Sequence, residues 1–446
     1  MKNKYLAIDI GTSRIKAAII DDGLNIISIN TVDTEMIIPK ADFAEMDFED
    51  ILKRLIECVS IFKDELKEIQ GIGLSVLCPG LVALDRMGIP LRNSIIHLDR
   101  RSRKQSLFAL NIIGEQKFLS LAGNLPYPGG ISLSSILWIK ENESPVYKKT
   151  YKFGHTNTYL VKKLTGNFGM DPTNASLTGL YKTVDLSGWA EEIINGLKLD
   201  RNLLPDIQKS QHIAGNVNKE ISSLMGIKSG VPVAMGAADT ACAVLGAGLI
   251  NDGDILNTTG TVEALTLTLD RPYIDKKLIL RAHPLFGKWL SMYIIGAGGI
   301  SIEWGRKMFF QEMEKKYFYE KYLVDLLSSA DLKINEKFQP YLCGDRLSMA
   351  QGKGSFSGLS LNSTRDDMIL AIILGVIVPI NKAVKNFKNI TKTSDTIHYT
   401  GQGNSFLYEI KKKMFSGYTL EEINSNSALI GAAKLIRMGL ENNSNT

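Results

Sequence analysis

Residues 5–21 constrain the fold most, because the chain uses their pattern twice. Two apolar, β-prone runs flank Gly11-Thr12-Ser13, the pattern of a β-hairpin closed by a glycine-containing turn. Residues 255–269 repeat it, with Gly260-Thr261 where Gly11-Thr12 fell and Thr258 where Asp9 fell. A tight turn of small residues presents backbone N–H groups and hydroxyls in a concavity suited to phosphate oxygens. Asp9, two residues before the turn glycine, is placed to hold Mg²⁺ through water, which that ion gives up reluctantly. Ordinary hairpins share the pattern, and any long α/β chain contains several glycine turns. The residues alone leave phosphate cradle and plain connection both open.

Around the hairpins, strands and helices alternate. Residues 47–65 have helical apolar spacing (Ile51, Leu55, Cys58, Val59, Phe62), and 71–84 read as a buried strand region. Residues 132–141 and 157–164 read as helices, 220–225 as a short helix, and 230–235 as a strand. Strands before and after helices argue an α/β chain. Two similar hairpins far apart suggest two similar α/β domains facing each other, gripping a polyphosphate from both sides. The boundary falls just after Gly248, giving domains 1–248 and 249–446. Gly236-Ala237-Ala238-Asp239-Thr240 leads into a small-residue helix. A lone Asp at such a helix mouth is commonly an N-cap, and the residues leave cap and catalytic base both open. In the second half, Gly296-Ala-Gly-Gly299 precedes a helix over 300–310, a helix start that favours anions and flat ligands. Residues 312–330 read as a charged helix and 366–387 as a long one. Residues 398–405 are a strand entering a loop, followed by a helix over 406–415. Residues 424–440 are the last helix, with Ala428, Ala432 and Ala433 suited to close packing.

Composition excludes several classes. At 446 residues the chain has room for two to three domains and a large core. Its net charge of +5 is diluted over that length with no basic stripe, so nucleic acid is not an expected partner. Cys58, Cys78, Cys242 and Cys343 are scattered, with neither metal-ligand nor disulfide-framework spacing, so reduced thiols in the cytoplasm are expected. The N-terminus lacks a signal-peptide pattern. The longest apolar run, 368–380, is too short to span a bilayer and contains Gly375 and Pro379; it reads as a buried helix, not a membrane anchor.

In this order the motifs resemble the FGGY family of carbohydrate kinases, of the sugar kinase/actin/Hsp70 superfamily, nearly end to end. The resemblance runs through Ile8-Asp-Ile-Gly-Thr-Ser, Gly73-Leu-Ser, Gly80-Leu-Val-Ala-Leu-Asp85 and Asp99-Arg-Arg. It continues through Leu137-Trp-Ile-Lys, Lys163-Leu-Thr-Gly166, Asp171, Ala175-Ser176, Leu203-Leu-Pro205 and Gly236-Ala-Ala-Asp239. It ends through Thr259-Gly-Thr261, Gly298-Gly299, Trp304, residues 354–359 and residues 401–405. It implies two ribonuclease-H-like (actin-like ATPase) α/β domains with a catalytic cleft between them. Sugar would sit mainly on the first and ATP–Mg²⁺ mainly on the second. By this resemblance Asp239 is the general base, and Asp9 lies near Mg²⁺ and the transferring phosphoryl group. The turn Gly11-Thr12-Ser13, with Thr259, Gly260 and Thr261, holds the phosphates, while Gly299, Gly401 and Ser405 line the nucleotide pocket. A small sugar or polyol is the expected partner, and a homodimer is a further expectation.

By this resemblance Cys78, Asp99 and Thr240 read the substrate, and the sugar side departs from the family pattern at Cys78-Pro79, His97-Leu98 and Thr240. Cys78-Pro79 stands where xylulose kinases carry Met-His and glycerol kinases Arg-Glu. Thr240 replaces their Asn or Gln, and His97-Leu98-Asp99 replaces Trp-Asn-Asp or Trp-Gln-Asp. A pocket with fewer polar groups is expected, and a substrate other than glycerol. Thr400 and Gln402 replace glycines of the adenosine loop. The alternatives are xylulokinase proper, against which Cys78-Pro79 speaks, and a non-catalytic nucleotide-dependent sugar sensor of the same fold.

Overall fold

Lys4–Ile10 and Arg14–Asp21 pair antiparallel around the first turn, and Ile255–Thr259 and Glu263–Leu269 do the same around the second. The computed structural model describes residues 3–260, 262–329, 332–342, 344–350, 352–401 and 405–444. Each hairpin is the centre of its own sheet. The first sheet is seven-stranded, in the order Ile26–Asp33, Arg14–Asp21, Lys4–Ile10, Ile69–Val76, Pro232–Ala234, Ile213–Asn216, with Ala237–Ala238 also on Ile69–Val76. The second is six-stranded: Ile279–Ala282, Trp289–Ile295, Glu263–Leu269, Ile255–Thr259, Thr396–Thr400, Thr419–Glu422. In both, an antiparallel ladder gives way to parallel pairing beside the first hairpin strand, onto Ile69–Val76 in one and Thr396–Thr400 in the other. The repeat read in the two hairpins therefore extends to the sheets around them. Central strands covered on both faces read as near-continuous apolar runs, as 5–8 and 17–20 do.

The layers do not follow chain order at the C-terminus. The last helix, Ser427–Ser444, packs on Lys4–Ile10, on Ile69–Val76 and on the helix Asp239–Gly246. Its small face, Ala432 and Ala433, is fully buried there. Approach is so close that a Cβ on Gly73 would stand 2.0 Å from the Ala432 carbonyl oxygen.

The helix Arg365–Phe387 starts at a capping box made by Thr364 and Asp367, and Pro379 lies inside it. It is longer than its apolar run suggests, and by length and composition alone it could cross a membrane. Ile369, Ile372, Ile373, Ile377 and Ile380 are instead buried in the second domain's core. Residues 312–330, expected as one helix, are broken into Lys315–Tyr317, a π-turn at Phe318–Tyr322 and Leu323–Ser329. The break lets Phe318 and Tyr322 both reach Phe310, with ring centroids 5.3 and 5.0 Å away.

Candidate active site

Both turns open onto one cavity of about 960 Å³, lined by Thr12 and Ser13 from the first, by Gly260 from the second and by Gly299. Gly299 opens the helix Gly299–Phe309 and donates its N–H to Gly260 O at 2.9 Å. A Cβ there would lie 2.6 Å from that same oxygen, so contact between helix start and turn requires glycine. The turn glycines do not offer their own donors. Gly11 N–H is spent on Arg14 O at 2.8 Å and Gly260 N–H on Val262 O at 3.0 Å, because those bonds close the turns. Among the described residues, the N–H groups of Thr12 and Ser13 have no internal acceptor. Thr261 and Gln402 lie outside the described residues, and Ser405 is described only as the start of the helix Ser405–Met414. Gly401 is buried against Tyr399, where a Cβ would stand 2.1 Å from the phenol oxygen.

Thr259 is tied from behind. Lys411 Nζ lies 2.6 Å from Glu263 Oε1 and 2.9 Å from Asn257 Oδ1, and it also donates to Thr259 Oγ1. Asn257 Nδ2 donates to the same Glu263 oxygen at 2.6 Å. Burial presses the lysine pKa down while Glu263 pulls it up. Sequence reading missed this cluster; Glu263, two residues past the Thr-Gly-Thr turn, was the available signal.

Asp9 lies near the C-terminal end of Lys4–Ile10, opposite Lys16 on one neighbour and Ser75 on the other. Ser75 Oγ donates to Asp9 Oδ1 at 2.6 Å. Ala237 and Ala238 extend the parallel edge beside Ser75 and Val76, and Asp239 starts the next helix. Both carboxylates thus emerge at the C-terminal edge of parallel strands, the usual position of an α/β ligand site. Asp239 is the first helical residue rather than the N-cap, which is Ala238. Burial, and secondarily the Asp239 charge, raise Asp9 to about 6, against the pull of Ser75 and Lys16. Burial also raises Asp239, while Arg281, Thr240 and Arg346 oppose it.

The sugar-side positions divide. Cys78 is buried, its Sγ 3.7 Å from His155 Nδ1, and desolvation pushes its thiol up to about 12. Thr240 donates its N–H to Asp239 Oδ1 at 2.7 Å, and its hydroxyl lies 3.3 Å from the same atom. It orients the acid. Asp99, expected to read substrate, is turned inward. Its carboxylate accepts from Ala44 N at 2.8 Å, Arg101 N at 2.9 Å and Arg101 Nε at 2.8 Å, and it is fully buried. Its capacity is used in holding the chain together. The expected loss of polarity is also corrected. Arg281 and Arg346, neither singled out from sequence, are buried; with burial as the main cause, they and Arg100 lower the His97 pKa, and the two also act on Cys78 and Asp239.

Comparison with known proteins agrees with this arrangement. A family model described as the FGGY family of carbohydrate kinases, N-terminal domain, matches residues 4–246. The chain is 27% identical to a xylulose kinase of Staphylococcus xylosus, over 97% of this chain and 90% of that protein. A ligand-bound xylulose kinase from Lactobacillus acidophilus superposes with a TM-score of 0.87 at 24% identity, covering 98% of this chain and 90% of that one. A gluconate kinase from the same organism superposes equally, 0.87 at 24%, covering 99% and 90%.

Proposed function

The chain belongs to the FGGY family of carbohydrate kinases and is an ATP-dependent sugar phosphotransferase, and we propose that Asp239 is the base that takes the proton from the attacking hydroxyl. The observation that carries this is the placement of Asp9 and Asp239 at one strand edge, on either side of Ser75 and Val76, with the first phosphate-type turn following Asp9 directly. Phosphoryl transfer depends on positioning and charge neutralisation more than on covalent chemistry. A carboxylate raised by burial is a stronger base for a weakly acidic hydroxyl. Thr240 holds its orientation, and Thr12, Ser13, Gly260 and Gly299 would border the nucleotide's phosphates. Tyr319, Ile302 and Phe406 give the same cavity an apolar end for the base. In this reading residues 1–248 carry most of the acceptor site and 249–446 most of the nucleotide site, with the last helix returning to the first sheet.

The residues fit Mg²⁺. Asp9 has one oxygen on Ser75, no hydrogen-bond partner for the other among the described residues, and an anionic form held unfavourable by burial and Asp239. Among the described residues no group of three metal-ligating side chains exists, which suits an ion held by one carboxylate, water and phosphates. When bound, the ion would neutralise charge on the transferring group.

The test is ADP release across ketoses, aldoses, polyols and sugar acids, with Asp239→Asn beside wild type. Turnover is expected to fall by about 10²–10⁴-fold with nucleotide binding retained. Near-wild-type turnover in the variant would remove the base assignment.

A further inference from the structure

We propose that the acceptor carries a carboxylate, seated by Arg281 and Arg346 beside Asp239, so that the substrate is a sugar acid. This rests on the kinase reading above. Arg281 is 2% exposed and Arg346 7%. Nε and Nη1 of Arg281 and Nε of Arg346 are buried and meet no hydrogen-bond partner among the described residues. Burying a guanidinium without a partner is costly, and the group stays charged at neutral pH. A carboxylate would satisfy its fork with two parallel bonds.

Neither side chain is there by default. Arg281 lies in the strand Ile279–Ala282, which the first half of the chain grips on both sides of it. Asn124 accepts from Leu280 N at 2.9 Å and donates to Leu280 O at 2.7 Å, and Ala282 N donates to Ser176 Oγ at 3.0 Å. Arg346 stands against Gly130, where a Cβ would be 3.6 Å from its Cγ. Arg100 stands beside the loop of Arg346, where a Cβ on Gly344 would be 3.3 Å from its Nε, and its Nη1 donates to His97 O, Asp99 O and Pro128 O at 2.9, 2.9 and 3.0 Å. The two arginines come from the second half of the chain, and their charge is felt at Cys78, His97 and Asp239 of the first.

Position separates this charge from the nucleotide. His97 lines the cavity of the phosphate turns, whereas neither Arg281 nor Arg346 does. Both act on Cys78 and Asp239, on the acceptor side, as well as on His97 between the two. Of the titratable groups around them, His97 is held neutral by burial and the three guanidiniums, and the Cys78 thiol is held neutral by burial. Asp171 is taken up by Asn157, Thr173, Asn174 and Ser210. Asp239 is left to offset one of the three guanidinium charges, and an anionic acceptor offsets a second.

The experiment compares aldonates and uronates with the alditols and ketoses of the same chain length and with a sugar monophosphate, by ADP release. At least one acid is expected to exceed its neutral counterpart in kcat/KM by about tenfold to a hundredfold, the scale of a charge-assisted hydrogen bond. Arg281→Gln and Arg346→Gln should each remove about tenfold or more of that preference, mainly through KM, with partial recovery in the Lys variants. A neutral sugar or the sugar monophosphate outranking every acid in wild type overturns the proposal and leaves the kinase reading standing. If no acceptor stimulates ADP release, the kinase reading fails. Titration calorimetry of the acids against the protein alone then decides: binding that weakens in Arg346→Gln or Arg346→Lys upholds the anion seat, and no binding overturns it.

Discussion

Lys411 and Glu263 form an ion pair in the second domain, 2.6 Å apart, with side chains 0% and 1% exposed. The lysine comes from the helix after the strand Thr396–Thr400, and the acid from the strand that follows the second turn. Removing one partner leaves the other charged and buried. Lys411→Met is expected to lower stability by about 3–5 kcal/mol, and Lys411→Met with Glu263→Gln to recover a large part of it. Urea unfolding of both singles and the double variant reads the coupling.

Asp9 gives a pH signature. Its folded pKa of about 6 lies above the ordinary 3.8, so the native state binds more protons than the unfolded state between those values. Its contribution to stability is therefore full below about pH 4 and lost as pH rises through about 6. Asp9→Asn is expected to be more stable than wild type at pH 7.5, by about 1–3 kcal/mol without metal, with the gain vanishing near pH 4. Thermal unfolding of both proteins across that range checks it.

Asp99 separates a structural acid from a substrate ligand. Because Ala44 and Arg101 take up its carboxylate, Asp99→Asn is expected to cost about 2–4 kcal/mol of stability. The acceptor KM measured well below the unfolding temperature should change less than threefold, or about 0.7 kcal/mol. A large KM change with unchanged stability would return Asp99 to the substrate site.

Gly299→Ala tests the contact between the second turn and the helix start. The new methyl meets Gly260 O at 2.6 Å, a backbone atom that must move. KM for ATP is expected to rise about tenfold, with a stability loss of about 1–3 kcal/mol. Steady-state kinetics at saturating acceptor, beside thermal unfolding, reads the two effects separately.

Local chemistry made much of this chain legible. The alternation of β-prone runs around Gly11 and Gly260 is written in adjacent residues, and both hairpins form there. The small face of 428–433 announced a close helix contact, although not that its partner would be Gly73. The order of short motifs pointed to the family, and with it to Asp9 and Asp239. The break at 318–322 was not legible, because charged residues at helical spacing do not report the aromatic packing that interrupts them.

What the sequence by itself determined is the set of local elements and the acids they carry, since turn chemistry and apolar period act over a few residues. Tertiary structure alone decided which charges face the acceptor. Arg281 in its strand and Arg346 in its loop look like surface arginines until Asn124, Ser176 and Gly130 of the other half close around them. Asp99 looks like a ligand until Arg101 and Ala44 turn it inward. A charge acquires its role from what surrounds it at a few ångströms, and those neighbours lie far away along the chain.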